Sequence, residues 1–144
     1  MNSEKQPNAP IGFHYSYSIH SDITKIMKYI YNMNEWESFA DIIICRAGAM
    51  TISELAALGK AAIIIPSPYV ANNHQYENAK RLADKNAAIL IEEKDLTPEK
   101  LLGEIESIIN DKARLLQMQK NAKSLAINDT DEKIISVIKQ VLKK

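Results

Sequence analysis

The stretch Asp41-Ile-Ile-Ile-Cys45-Arg46-Ala-Gly48-Ala49-Met50-Thr51-Ile-Ser53-Glu54 decides the fold of this 144-residue chain. Residues 42–45 are apolar on both faces and read as a short buried strand of a parallel sheet. Arg46, Ala47, Gly48 and Ala49 make a small-residue turn. Thr51 or Ser53 offers a hydroxyl cap to the helix that follows, and Ile52, Leu55, Ala56 and Leu58 recur at helical spacing. Gly59 then stops that helix. A strand leading through such a turn into a helix start leaves unpaired N–H groups and the positive end of the helix dipole beyond the strand, which suits an anion. One turn inside, the Glu54 carboxylate can accept hydrogen bonds from two neighbouring hydroxyls. A nucleotide sugar fits, with diphosphate on the helix end and ribose on Glu54. The same residues also fit an ordinary strand-to-helix turn with a surface glutamate, and both readings stand at this point.

Downstream, residues 61–65 are the clearest second strand, closed by Pro66-Ser67-Pro68, which fixes an extended loop. Asn72 or Asn73 caps a helix running to about 85. Asn86 leads into a third strand, 87–91, and 92–96 is a charged loop. Thr97-Pro98 is a strong helix start, a capping hydroxyl with proline at the first helical position. That helix is expected to turn Leu101, Leu102, Ile105, Ile108 and Ile109 inward. Asn110-Asp111 breaks it, a helix follows over 113–125, and Asp129 or Thr130 caps a last one with Ile134, Ile135, Ile138 and Leu142 inward. Upstream, residues 32–39 look like a short helix with Met33, Trp36 and Phe39 inward. Residues 26–30 read as a strand, as do 12–17 with their aromatic face, and 1–11 as a disordered leader.

Alternating strands and helices imply an α/β fold: a Rossmann-like parallel sheet with helices on both faces, here with a helical tail. Residues 12–144 then form a single domain. Ligands of such sheets bind at the carboxyl ends of the strands. Three loops meet that edge: 31–33, 46–51 and 66–75.

Composition narrows the classes. Lys and Arg number 18, as do Asp and Glu, so no basic field points to nucleic acid. Hydrophobic content is 46% and charged content 25%, ordinary for a globular protein. No apolar run is long enough to span a bilayer. The single cysteine, Cys45, fits a reducing cytoplasm. His14, His20 and His74 lack partners at ligand spacing, so neither a metal nor another cofactor is expected.

The loop at 66–75 runs into a second loaded string, Asn72-Asn73-His74-Gln75-Tyr76-Glu77-Asn78-Ala79. Amides and an imidazole at a helix start can read sugar hydroxyls, or can simply cap the helix. Both strings fall at the same sheet edge. Together, Arg46-x-Gly48-Ala-x-Thr51-x-x-Glu54, Pro66 and Asn73-His74-Gln75-x-x-Asn78-Ala79 resemble the C-terminal half of the MurG family, in glycosyltransferase family 28. These transferases move N-acetylglucosamine from UDP-N-acetylglucosamine onto lipid I in peptidoglycan synthesis. The resemblance covers about residues 28–142.

The resemblance implies a two-domain GT-B fold whose C-terminal domain holds the donor. By position, Ile30 matches the residue whose backbone reads uracil, and Met33 one packing near the base. Gly48, Ala49, Met50 and Thr51 match the turn facing the diphosphate, with Arg46 beside it. Glu54 matches the ribose-binding acid. His74 and Gln75 match the pair that reads N-acetylglucosamine, with Asn78 near them. The family's Gly-Gly-Ser-type loop has no counterpart before Ile30, and 12–24 is either a divergent part of the family or unrelated sequence. The acceptor domain with the catalytic base is absent from this sequence, so no catalytic residue is expected in it. The resemblance thus implies the donor-binding part of an inverting transferase, inactive without an acceptor-binding partner, cytoplasmic and peripheral at the inner face of the plasma membrane. The alternative is a UDP-sugar-binding module or split subunit with no chemistry of its own. An open sheet edge would also permit a homo-oligomer. The eukaryotic split transferase acting on dolichol is a related possibility that the Asn-His-Gln string fits less well.

Overall fold

One strand, apolar throughout, organises the computed structural model, which describes residues 27–127 and 129–142. It is β2 (Ala61–Ile64), paired in parallel with β1 (Ile42–Cys45) on one side and β3 (Ala88–Leu90) on the other. Every residue of β2 is buried. Alternate residues serve opposite faces. Ala62 and Ile64 pack with Leu55, Ala79 and Leu82, while Ala61 and Ile63 pack with Ile108 and Met118. Full burial of Ile63 and of Ile64 stabilises the fold by about 1.5–3 kcal/mol each.

The helices that cover the sheet are α2 (Ala49–Leu58) and α3 (His74–Ala83) on the first face, and α4 (Pro98–Ile109) on the second. α5 (Lys112–Ser124) gives Met118 to one cluster and Ala122 to the other. The α4 and α5 starts carry real side-chain caps: Thr97 Oγ1 accepts from Lys100 N at 3.2 Å, and Asp111 Oδ1 from Arg114 N at 3.0 Å. α1 (Met33–Phe39) precedes β1, and Lys60 Nζ donates to the Ser38 and Ala40 carbonyls at its end, at 2.7 and 3.0 Å. α6 (Thr130–Leu142) closes the element order.

The α/β expectation holds, with corrections at its margins. β1 is an edge strand among the described residues, so it is only partly buried and Ile44 is exposed. The helix α1 buries none of its residues, and Met33, Trp36 and Phe39 are exposed rather than inward. In α4 the stripe Leu101, Ile105 and Ile108 faces the core, whereas Leu102 and Ile109, a heptad apart on the flank, do not. In α6, Ile134, Ile135, Ile138 and Leu142 are all exposed, because no buried cluster of the described residues includes that helix. The helix α3 ends at Ala83, two residues early, because Asn86 adopts a left-handed backbone (φ 52°) and the Ala87 amide turns back to the Leu82 carbonyl.

The chain divides into two compact units, Met1–Tyr31 and Asn32–Lys144, and all these elements lie in the second. Of the first, residues 27–31 are described. Tyr29 and Tyr31 meet edge to face, with ring centroids 4.8 Å apart. No strand forms over 27–30; a strand persists only with a ladder partner, and among the described residues the three strands pair with one another. The leader at 1–11, the strand at 12–17 and the segment 12–24 lie outside the described residues.

Gly59 ends α2 in the left-handed conformation (φ 67°), with its amide bonded to Ala56 O and the Lys60 amide to Leu55 O. A Cβ there would sit 3.2 Å from Lys123 Cβ. Replacement Gly59→Ala is therefore predicted to destabilise the chain by about 1–2 kcal/mol. Urea unfolding checks this, and an unchanged midpoint would contradict it.

Candidate functional site

Parallel strands bring their carboxyl ends to one edge, so the residues following β1, β2 and β3 are neighbours there. Arg46, directly after β1, ties the three tips together. Its Nη1 donates to the Ile65 carbonyl after β2 at 3.2 Å and to Glu93 Oε2 after β3 at 2.5 Å. Ile65 is itself held by its amide, bonded to Cys45 O at 2.9 Å. The Arg46–Glu93 pair is partly exposed, so its contribution to stability is small, under about 1 kcal/mol.

The N-cap of α2 falls three residues before Thr51 and five before Ser53. Gly48 is the N-cap, in extended conformation (φ −63°, ψ 147°), with no side-chain cap. The first intrahelical bond runs from Ile52 N to Gly48 O at 3.0 Å. Thr51 and Ser53 are thus inside the helix, and Ser53 Oγ bonds back to Ala49 O. Gly48, a favoured N-cap type with extended backbone, already presents its carbonyl to Ile52 N, so the helix starts ahead of the hydroxyls. As a consequence the N–H groups of Ala49, Met50 and Thr51 have no helical acceptor, and no side chain of the described residues takes them. Ala49 and Met50 are exposed, Met50 to 77%. The positive end of α2 opens to solvent at the sheet edge.

Glu54 is exposed on α2. Its charge reaches Glu37 of α1, whose carboxyl is pushed above the ordinary range, first by burial and then by Glu54. Glu37 in turn acts on Cys45, whose thiol is pushed up to about 11, mainly by burial. Glu54 is therefore near enough to Glu37 for its charge to be felt there.

The start of α3 completes the edge. A short 3-10 turn, Ala71–Asn73, precedes it, with Asn72 (φ 54°) and Asn73 (φ 51°) both left-handed. Asn73 occupies the N-cap position, but its side chain caps nothing, because its backbone is left-handed rather than extended. His74 Nδ1 donates to Ala71 O at 2.8 Å; a carbonyl only accepts, so in the neutral ring Nε2 is left as an acceptor. Gln75 Oε1 accepts from Ser67 N at 2.9 Å, which leaves the Gln75 amide N–H groups as donors. Asn78 Nδ2 donates to Ala47 O at 3.1 Å and so couples α3 to the turn before α2.

At this edge Arg46 is bonded to Ile65 and Glu93, Gln75 to Ser67, and Asn78 to Ala47 just before the turn 48–51, with Glu54 on α2 and His74 at the head of α3. Met33 opens α1 and is exposed. Ile30 belongs to the first unit. Sequence reasoning passed over Glu93, Glu37, Ser67 and Ala71. Glu93 sat in a charged loop with nothing to single it out, and its partner is 47 residues away. Among the described residues, no group of His, Cys, Asp or Glu side chains is placed to hold a metal ion, and no helix is long and apolar enough to cross a membrane.

Removing the Glu54 charge relieves the repulsion on Glu37. The variant Glu54→Gln is predicted to lower the Glu37 pKa, read by carboxyl-carbon NMR titration. A Glu37 titration indifferent to Glu54 would contradict the nearness of Glu54 to Glu37.

Comparison with known proteins agrees with the α/β fold. The model of the glycosyltransferase family 28 C-terminal domain matches residues 2–134. It thereby takes in 12–24, so that segment falls within the family's span. The chain is 47% identical over 118 residues to the UDP-N-acetylglucosamine--N-acetylmuramyl-(pentapeptide) pyrophosphoryl-undecaprenol N-acetylglucosamine transferase of Acetivibrio thermocellus, covering 82% of this chain and 32% of the relative. It is 48% identical over 123 residues to the transferase of the same name from Bacillus cytotoxicus, covering 85% of this chain and 34% of that one. The crystal structure of Acinetobacter baumannii MurG superposes with a TM-score of 0.73 at 34% identity, over 81% of this chain and 35% of that one. The chain spans about a third of the length of the curated relatives it matches. On the match over residues 2–134, the chain belongs to glycosyltransferase family 28, as its C-terminal domain.

Proposed function

We propose that this chain is the donor-binding part of an inverting N-acetylglucosaminyltransferase that uses UDP-N-acetylglucosamine. The diphosphate lies on the amides of Ala49, Met50 and Thr51, the ribose hydroxyls on Glu54, and the amino sugar near His74, Gln75 and Asn78. Met33 serves the uracil. One observation carries the reading: the α2 N-terminus is solvent-open at the carboxyl end of β1, with its first amides unpaired among the described residues.

In this reading the chain supplies half of a mechanism. A base outside it takes the proton of the acceptor hydroxyl, and that oxygen attacks the anomeric carbon. The bond to UDP breaks, and the α2 amides stabilise the charge that develops on the leaving diphosphate. The acceptor is lipid I. It is bound by residues that correspond to the rest of the relatives' length, in the same chain or a partner chain. The work takes place in the cytoplasm, at the inner face of the plasma membrane.

Calorimetry with UDP tests the site. Saturable binding is expected, weakened about tenfold or more by Glu54→Ala, since a carboxylate holding two hydroxyls contributes about 1.5–3 kcal/mol. Absence of binding at millimolar UDP, or binding indifferent to Glu54→Ala, would contradict the assignment. Incubation of the chain alone with UDP-N-acetylglucosamine and a lipid I analogue should give no turnover, and robust turnover would contradict the division of labour.

A further inference from the structure

A guanidinium carries five N–H donors in a planar fork. In Arg46 only Nη1 is engaged, by the Ile65 carbonyl and by Glu93. The Nε and Nη2 groups bond nothing among the described residues. That free side of the fork suits two parallel bonds to an oxyanion. A carboxylate competing with a ligand for Arg46 would gain most by taking two prongs of the fork. Glu93 takes one, and the same nitrogen is pinned from below by a backbone carbonyl.

Both acceptors are firmly placed. Ile65 continues β2, and its amide bonds to Cys45 O at 2.9 Å. Glu93 follows Ile91, whose amide bonds to Ile64 O at 3.0 Å. Glu93 also opens a 3-10 turn closed by Asp95 N to Glu92 O and Leu96 N to Glu93 O, at 2.9 and 3.3 Å. Arg46 itself stands at the tip of β1, two residues before the N-cap of α2. The long, rotamer-rich side chain is thereby fixed at the sheet edge before any ligand arrives.

We propose that Glu93 is a positioning residue for the diphosphate: through Nη1 it holds Arg46 so that the free Nε–Nη2 side of the fork meets the anion at the turn 48–51. This rests on the donor-site reading above. Glu93 touches no ligand, and its negative charge on its own would repel one. Its effect passes through Arg46 alone, which sets the sign and the dependence of the outcome.

The test is a set of dissociation constants on the full chain, for UDP by calorimetry and for uridine by ligand-observed NMR. Glu93→Gln and Glu93→Ala are expected to weaken UDP by about three- to fivefold and to leave uridine unchanged within error. The near-isosteric Glu93→Gln guards against loss of fold, checked by its urea midpoint. In an Arg46→Lys background, which keeps the charge and loses the fork, Glu93→Ala should have no further effect. Tighter UDP binding in Glu93→Ala would make Glu93 a competitor and overturn the proposal. So would UDP binding that responds to Glu54→Ala and ignores Glu93. A wild-type chain that binds no UDP at all would overturn the donor-site reading and this role with it.

Discussion

The burial of β2 on both faces is the constraint from which the rest follows. A strand apolar at every position is stable only between two layers, which forces helices onto both sides of the sheet and parallel connections between neighbours. Parallel connections send every strand tip to one edge. The residues available for chemistry at that edge are then whatever follows each strand: Arg46 after β1, Ile65 to Ser67 after β2, and Glu93 after β3. The core cluster on one face of β2 holds α2 through Leu55 and α3 through Ala79 and Leu82. Packing thus places the anion-attracting helix end without any residue being chosen for the ligand.

Side chains then divide the work of holding the edge from that of facing solvent. Asn78 spends an amide hydrogen on the Ala47 carbonyl, Gln75 spends its oxygen on the Ser67 amide, and His74 spends Nδ1 on the Ala71 carbonyl. Each keeps polar capacity to spare: Nε2 as an acceptor in neutral His74, the Nε2 hydrogens as donors in Gln75, and one Nδ2 hydrogen with Oδ1 in Asn78. The first amides of α2 are the exception, since nothing among the described residues engages them. In the proposed donor complex, the same division makes the edge rigid before the nucleotide arrives, which limits the entropy lost on binding.

How much of this was legible in the residues depended on range. Local signals served well. The apolar runs at 42–45 and 61–65 became strands, Gly59 stopped its helix, and Thr97 capped the next. Periodicity misled wherever the partner surface was not local. Met33, Trp36 and Phe39 in α1, Leu102 and Ile109 in α4, and the isoleucines of α6 all have helical spacing, yet none reaches the core. An apolar stripe tells which side of a helix is greasy and not whether anything packs against it. The Gly48 cap was missed because hydroxyls compete for attention in a turn where glycine suffices. Glu93 and Glu37 were invisible because their roles arise from contacts between distant segments of the chain.

The most direct measurement is a titration of the isotope-labelled chain with UDP, followed through backbone amide signals. The Ala49, Met50 and Thr51 amides should shift and saturate together. The Lys100 and Arg114 amides, already bonded to the Thr97 and Asp111 caps, should stay in place. UDP that binds without moving the α2 amides would contradict the account at its root.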